Sequence, residues 1–493
     1  MWRTITPEEA GISSALVKKF ISKLEQRGLT MHSVLMMRGN DIFAECYWKP
    51  FDKNFIHRMY SQTKSFVGVA IGILEQEGKL SLDDKISDYF PERIDRELPE
   101  HLKNLTIKDM LTMETAGEAP FWLFHEEAED RVRWYFNKNN STHPGGTIWK
   151  YDSDGSQVLS VLVEKLSGMT LFEFLKARIF DKLGTFTTAY ALKVRNEDSF
   201  GDSSMMCTTR DIASFARFVM NYGSWNGERI VNEEYMRKAT SAVVDNNISG
   251  FEGYTSDGYG YQIWGAENGS FAFHGMGGQF TICVPEKDFI FTCTADNQGL
   301  NWSGALLFTY VFDLLVENLE NKPLEKDDKS YKELLSYSET LTLRSQRGKT
   351  YVPFADIING KTYICEENKM GITKFSLNFL NESEGEFHYT NEQGDKVLCF
   401  GIGKNVFCKF PQYGYSDLHA GLKTTDGFLY DCAASAAWTE DKKLLMNIKI
   451  IDKYFGNISI IFSFKENLAT VDMVKHAEAF LEEYNGKMVA KAE

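Results

Sequence analysis

The sequence has no surplus of positive charge. Its 69 acidic residues outnumber 54 basic ones and leave a net charge of −15, which argues against a nucleic-acid partner or attachment to anionic lipid through a basic patch. Met1 to Ala10 holds no basic segment followed by an apolar core, and nowhere do 18 apolar residues run together. The chain is therefore expected to be neither exported nor membrane-spanning. Eight cysteines (Cys46, Cys207, Cys283, Cys293, Cys365, Cys399, Cys408, Cys432) are scattered without a Cys-x-x-Cys, and none lies at zinc spacing from histidines. Free thiols in a reducing cytoplasm, mostly small buried hydrophobes, are the expected state. His125-Glu126-Glu127 lacks the second histidine of a helical zinc pair, so neither a metal nor another cofactor is implied. Low-complexity segments are absent as well.

Apolar material, by contrast, is plentiful. With 43% hydrophobic and 14% aromatic residues over 493 positions, the chain is too long for one typical core and is expected to form two domains or three. Leu16, Val17, Phe20, Ile21 and Leu24 fall at helical spacing before Gly28, and Ser33 to Met37 with Ile42 to Trp48 read as a hairpin. Val67 to Gly78 is so apolar that as a helix it must be buried on nearly every side. A capping box at Thr170 and Glu173 starts another helix. Strand-like stretches at Tyr259 to Trp264, Ser270 to Phe273, Phe280 to Val284 and Phe289 to Thr294 precede an apolar helix at Ala305 to Leu319. This order predicts an α+β fold for residues 1–320. Its antiparallel sheet takes strands from both ends of the segment and is flanked by terminal helices, with a helical subdomain beside it. Residues 321–335, charged and containing Pro323, read as a linker. Residues 336–493 alternate with period two in short, evenly spaced strands, which predicts an all-β barrel or sandwich. It carries no catalytic constellation.

The chemistry concentrates at His57 to Phe66. Ser61 and Lys64, three residues apart at the start of the buried helix, share one face. A serine hydroxyl is a weak nucleophile until a neighbouring base takes its proton. Lys64 can serve only when neutral, a state that burial and a nearby cation or phenol favour. Tyr151, between a Pro-Gly-Gly break and a helix, is the candidate to relay the proton to the leaving group. The glycine-rich strand edge Phe273 to Gln279 offers backbone N–H groups for an oxyanion, each worth on the order of 3 kcal/mol. Pro91 to Asn140 is charged and aromatic, either a solvated helical layer or the lining of a substrate entrance, with Trp122 as its candidate substrate residue. Taken singly, each feature has a plainer structural role. Their order and placement single them out.

These residues carry a resemblance. Tyr60-Ser61-Gln62-Thr63-Lys64-Ser65-Phe66, Trp149-Lys150-Tyr151-Asp152-Ser153 and His274-Gly275-Met276-Gly277-Gly278-Gln279 resemble the three motifs of the serine β-lactamase-related hydrolases. That group includes class C β-lactamases, DD-carboxypeptidases and other penicillin-binding-protein-like enzymes, esterases, D-aminopeptidases and 6-aminohexanoate-dimer hydrolases. The resemblance implies the β-lactamase/transpeptidase-like fold, with Ser61 as the acylated nucleophile and Lys64 and Tyr151 in proton transfer. It also implies an oxyanion hole from the N–H groups of Ser61 and of Gly277 or a neighbour. Which of Lys64 and Tyr151 acts first stays open.

Two departures stand out. Ser153 replaces the asparagine of antibiotic-processing members, and His274 replaces their lysine, with Met276 where the triplet usually has glycine. The missing cation removes a grip on a substrate carboxylate, so an esterase or amidase for a small substrate is expected rather than an efficient β-lactamase. A D-amino-acid amidase or peptidase, and a non-catalytic ligand-binding or sensing protein on the same fold, are the alternatives. From about Ser330 the chain resembles the lipocalin-like β domains of some relatives, on strand spacing and on fragments such as Asn359-Gly360-Lys361-Thr362-Tyr363. Such a domain would cap the cleft, mediate a homodimer or stabilise the enzyme.

Overall fold

Strands from both ends of the first unit meet in one sheet. The computed structural model describes residues 2–247, 257–415, 419–420, 428–476 and 479–493. The chain divides into two compact units, the first mainly Met1–Asn297 with Asn301–Thr342, the second mainly Leu343–Asp417 with Gly421–Glu493. In the first, seven strands run in the order Arg3–Thr4, Asp41–Tyr47, Met31–Arg38, Phe289–Ala295, Gln279–Val284, Ser270–Gly275 and Trp264–Ala266. Only the short Arg3–Thr4 pairing is parallel. The junction between early and late strands sets Leu35 opposite Thr292 and Met37 opposite Ile290.

Both faces of this sheet are covered, so its central strands are apolar almost throughout instead of alternating with water-facing residues. Leu35, Met37, Phe271, Phe273 and Ile290 face one core with the Thr63–Gln76 helix. Val34, Met36, Phe280, Ile282 and Phe291 face a second core with Phe20, Ile21, Phe308 and Leu315 from the terminal helices. The Thr63–Gln76 helix is buried from Thr63 to Leu74, as its composition requires.

Local departures from the sequence reading have identifiable causes. Tyr259 to Trp264 does not run as one strand, because Gln262 adopts φ +60°; Tyr259 makes isolated bridges to Val244 and Trp264, and a regular strand begins at Trp264–Ala266. The Gln262 side chain instead donates to the carbonyls of Met110 (3.0 Å) and Leu111 (3.2 Å) and accepts from Ser156 Oγ (2.7 Å). It thereby ties the sheet edge to two helices. Within residues 321–335 the chain enters a helix, Asp328–Glu339, whose buried Leu334 joins the second core.

The second unit is a closed barrel. Nine strands form the ring, which closes where Gly401 and Ile402 pair in parallel with Ser435 and Ala436. Val406–Tyr413 pairs outside the ring along Leu429–Glu440. The period-two alternation also predicts a strand from Gly427 to Cys432, of which Gly427 lies outside the described residues. Leu468–Lys475 and Gly486–Ala492 complete the ring, with Ala469, Val471, Met473, Met488 and Ala490 at buried positions. Among the described residues, no helix is long and apolar enough to cross a membrane.

Candidate active site

Ser61 sits in a tight 3-10 turn, Tyr60–Gln62, that feeds directly into the buried Thr63–Gln76 helix. Tyr60 holds φ +48°, a conformation that costs a non-glycine residue energy and persists only where neighbours enforce it. Here Thr63 Oγ1 donates to the Tyr60 carbonyl at 2.6 Å and accepts from the Met205 N–H at 3.0 Å. Met59 N–H donates to the Met205 carbonyl at 2.8 Å, and His57 and Arg58 pair with Cys207 and Met206. The guanidinium of Arg58 lies over the Tyr60 ring at 4.3 Å and donates to the Ser203 carbonyl at 2.9 Å. The segment after Asp202 is thus fastened alongside the serine turn.

That fastening determines the surroundings of Lys64. Its Nζ donates to Ser61 Oγ at 3.0 Å and to the Asp202 carbonyl at 2.8 Å, and it lies 5.0 Å from the centre of the Tyr151 ring. An Asp202 carboxylate oxygen stands 3.9 Å away, and the lysine side chain is only 2% exposed.

Tyr151 is held by stacking. Its ring lies parallel to Trp264 at 5.4 Å, and Trp264 meets Trp149 and Tyr259 edge-on at 5.6 Å and 5.0 Å. Asp152 caps the Ser153–Ser167 helix by accepting from the Gly155 N–H at 2.9 Å. Burial, reinforced by the nearby charge of Asp154, raises the Asp152 carboxyl to about 7. Ser153 opens the helix, and among the described residues it makes no hydrogen bond to Lys64.

The third motif forms a hairpin beside the serine turn. His274 and Gly275 end their strand opposite Phe280 and Gln279. A Cβ on Gly275 would sit 2.3 Å from the Met59 carbonyl oxygen, so only glycine permits this approach. Gly277 and Gly278 follow with φ +83° and +96°. Gln279 Nε2 secures the turn by donating to the carbonyls of Met276 (3.0 Å) and Ala295 (2.6 Å), while Asn297 N–H donates to the Gly277 carbonyl at 2.8 Å. His274 stacks on Phe280 at 4.6 Å and approaches Trp264 at 5.9 Å. Burial, and secondarily the charge of Lys64, push His274 down to about 4, so the imidazole is uncharged at neutral pH. Trp264 accordingly bridges the second and third motifs, and Lys64 reaches both Ser61 and Tyr151.

Sequence reasoning missed a buried charge cluster behind Lys64. Arg131, 1% exposed, donates from Nη1 to Asp202 at 2.6 Å and from Nη2 to Asp154. The Trp122 ring centre lies 4.4 Å from this guanidinium carbon and meets Phe200 edge-on at 5.6 Å, so most of its ring is used in packing. Asp154 is adjacent to the second motif and could have been noticed; Arg131 and Asp202 sit in segments without any motif. Among the described residues, no group of three or more His, Cys, Asp or Glu side chains is arranged to hold a metal ion.

Residues 17–316 match the family model described as Beta-lactamase. The chain belongs to this family. Among its β-lactamase-family relatives, a 6-aminohexanoate-dimer hydrolase of Paenarthrobacter ureafaciens is 22% identical over 306 residues, covering 58% of this chain and 78% of that protein. A Bacillus anthracis structure provisionally described as a 6-aminohexanoate-dimer hydrolase superposes with a TM-score of 0.51 at 17% identity, covering 66% of this chain and 88% of that one. A Bacteroides dorei structure provisionally described as a β-lactamase gives 0.52 at 14% identity, over 62% and 99%. At such identities the structural likeness speaks to the fold of this β-lactamase-family chain.

Proposed function

We propose that the protein is a serine hydrolase that cleaves a small ester or amide through an acyl-Ser61 intermediate. The observation that carries this reading is the 3.0 Å contact between Lys64 Nζ and Ser61 Oγ, with the Tyr151 ring 5.0 Å from the same nitrogen. With Lys64 unprotonated, Ser61 Oγ bonds to the substrate carbonyl carbon while its proton passes to Lys64, directly or through the Tyr151 hydroxyl. The N–H groups of Ser61 and Gly277 receive the oxyanion. Collapse breaks the bond to the leaving alcohol or amine, which takes the proton. Water then repeats the sequence on the acyl-enzyme, releasing the acid and restoring the Ser61 hydroxyl.

An uncharged His274 at the third motif supports a substrate without a carboxylate at that position. Trp122 and Ser153 are the remaining proposed substrate neighbours: the Trp122 ring packs on Arg131, and Ser153 would hydrogen-bond the substrate from the second motif. The 22% identity to a 6-aminohexanoate-dimer hydrolase makes linear amides worth including beside short-chain esters.

The test is intact-mass spectrometry with a fluorophosphonate, together with turnover of ester, linear-amide and D-amino-acid-amide panels. Wild type should gain one adduct and turn over at least one class, and Ser61→Ala should do neither. A wild type without adduct and without turnover across the panels overturns the reading.

A further inference from the structure

Asp202 presents two different groups to Lys64. Its carbonyl accepts a hydrogen bond at 2.8 Å, whereas its carboxylate stands off at 3.9 Å. That second distance is long for two buried opposite charges free to meet, since charge-assisted N–H···O bonds close to about 2.7–2.9 Å. Arg131 explains the stand-off. Its rigid guanidinium takes Asp202 Oδ1 at 2.6 Å with one nitrogen and Asp154 with the other, and Nη1 also reaches Gln157 Oε1 at 3.3 Å. The plane cannot swing toward solvent, because Trp122 and Phe200 pack on it at 4.4 Å and 5.2 Å.

We propose that Arg131 is a positioning residue for the acylation step: by clamping the carboxylates of Asp202 and Asp154 it keeps them from pairing with Lys64, leaving the amine available to Ser61. The inference rests on the serine-hydrolase reading above. The groups facing Lys64 are Ser61 from its own turn, the Asp202 carbonyl and carboxylate, the Tyr151 ring, and, through their charge, Asp154 and His274. Of these the two carboxylates are the groups of full negative charge, the strongest stabilisers of a protonated lysine, and both are bound by Arg131; the Asp202 carbonyl, Ser61 Oγ and the Tyr151 ring add weaker, neutral interactions. A lysine has no planar fork, so Arg131→Lys would preserve the charge but hold one carboxylate less firmly.

The pH dependence of the fluorophosphonate labelling rate separates this role from simple structural support. Freeing an opposite charge about 4 Å from a titrating group moves its midpoint by about 1–3 pH units. Arg131→Gln should therefore shift the acid limb of the labelling profile upward by about one unit or more, and Asp202→Asn should shift it downward. The double variant should return toward wild type, since the two charges are removed together. Arg131→Lys should lie nearer wild type than Arg131→Gln does. If Arg131→Gln does not fold, Arg131→Lys carries the test: its acid limb should lie above that of wild type, because one carboxylate is held less firmly, and an unmoved limb overturns the proposal. Variants that label more slowly at every pH with an unmoved limb, or an upward shift in Asp202→Asn, overturn the proposal. An unlabelled wild type instead overturns the serine-hydrolase reading on which it rests.

Discussion

The two units bury different chemistry. Among the described residues, the buried Asp, Glu, Lys, Arg and His side chains, including Lys64, Arg131, Asp152, Asp202, His57 and Arg58, all lie in the first unit. The barrel buries Gln412 and Ser435 among aromatics such as Phe387, Phe462 and Trp438. Burying charge is costly unless each charge finds partners, so a fold retains it where the charge has a task. The barrel interior is instead packed with rings, Phe375 beside Tyr363 at 5.1 Å and Phe387 beside Phe462 at 5.2 Å.

Substitutions can break or sharpen this contrast. The largest effect is expected at Tyr151, where Phe keeps the ring on Trp264 but removes the hydroxyl. Acylation should fall by about 10²–10⁴-fold, the usual worth of a positioned proton-transfer group, in stopped-flow labelling. A loss below tenfold would take Tyr151 out of the relay.

In the barrel, Trp438 is 1% exposed, and Trp438→Ala should cost about 3–5 kcal/mol of that unit's stability in chemical denaturation. Ser61 labelling well below the unfolding transition should stay within roughly twofold of wild type, a change that would correspond to under about 0.5 kcal/mol. A large drop in labelling would show that the barrel takes part in the chemistry.

Buried charge should also make the first unit's stability depend on pH. Asp152 is raised to about 7, so the folded state binds its proton more tightly than the unfolded state does. Its contribution is complete below about pH 4 and is lost as pH rises through about 7. Asp152→Asn removes that loss while still accepting from Gly155. Relative to wild type it should gain up to about 4 kcal/mol between pH 4 and 8, read from denaturant midpoints. Parallel stability profiles would show that Asp152 is ordinary.

The smallest of these effects concerns Gly275. A Cβ 2.3 Å from the Met59 carbonyl must push the hairpin from the serine turn, and Gly275→Ala should slow labelling by about 10²-fold, as displacement of about an ångström does. An unchanged rate would remove the hairpin from the oxyanion site.

Much of this was legible in one dimension because the signals are local. The apolar run after Lys64 could only be a buried helix, and Thr170 with Glu173 forms the expected capping box. Ser61, Lys64, Tyr151 and His274 were selected by residue type and local context, and they do converge around Lys64 and Trp264. What stayed hidden depends on contacts between distant segments. Arg131 and Asp202 are 71 residues apart, and neither lies in a pattern with a period or a motif. Gln262 looked like a strand residue because its neighbours alternate. Its φ of +60° reflects partners on two helices, which no local propensity encodes.

The sequence alone determined an α+β unit followed by an all-β one, and it determined the residue types able to supply a nucleophile, an amine and a phenol. Hydrophobic periodicity and short-range hydrogen bonding are properties of neighbouring residues and can be read from their order. Only the tertiary structure decided that Lys64 meets a carbonyl of Asp202 rather than its carboxylate, and that a guanidinium enforces the difference. Electrostatics in a dry interior depends on distances of a few ångströms between groups far apart in the chain, and those distances exist only after folding.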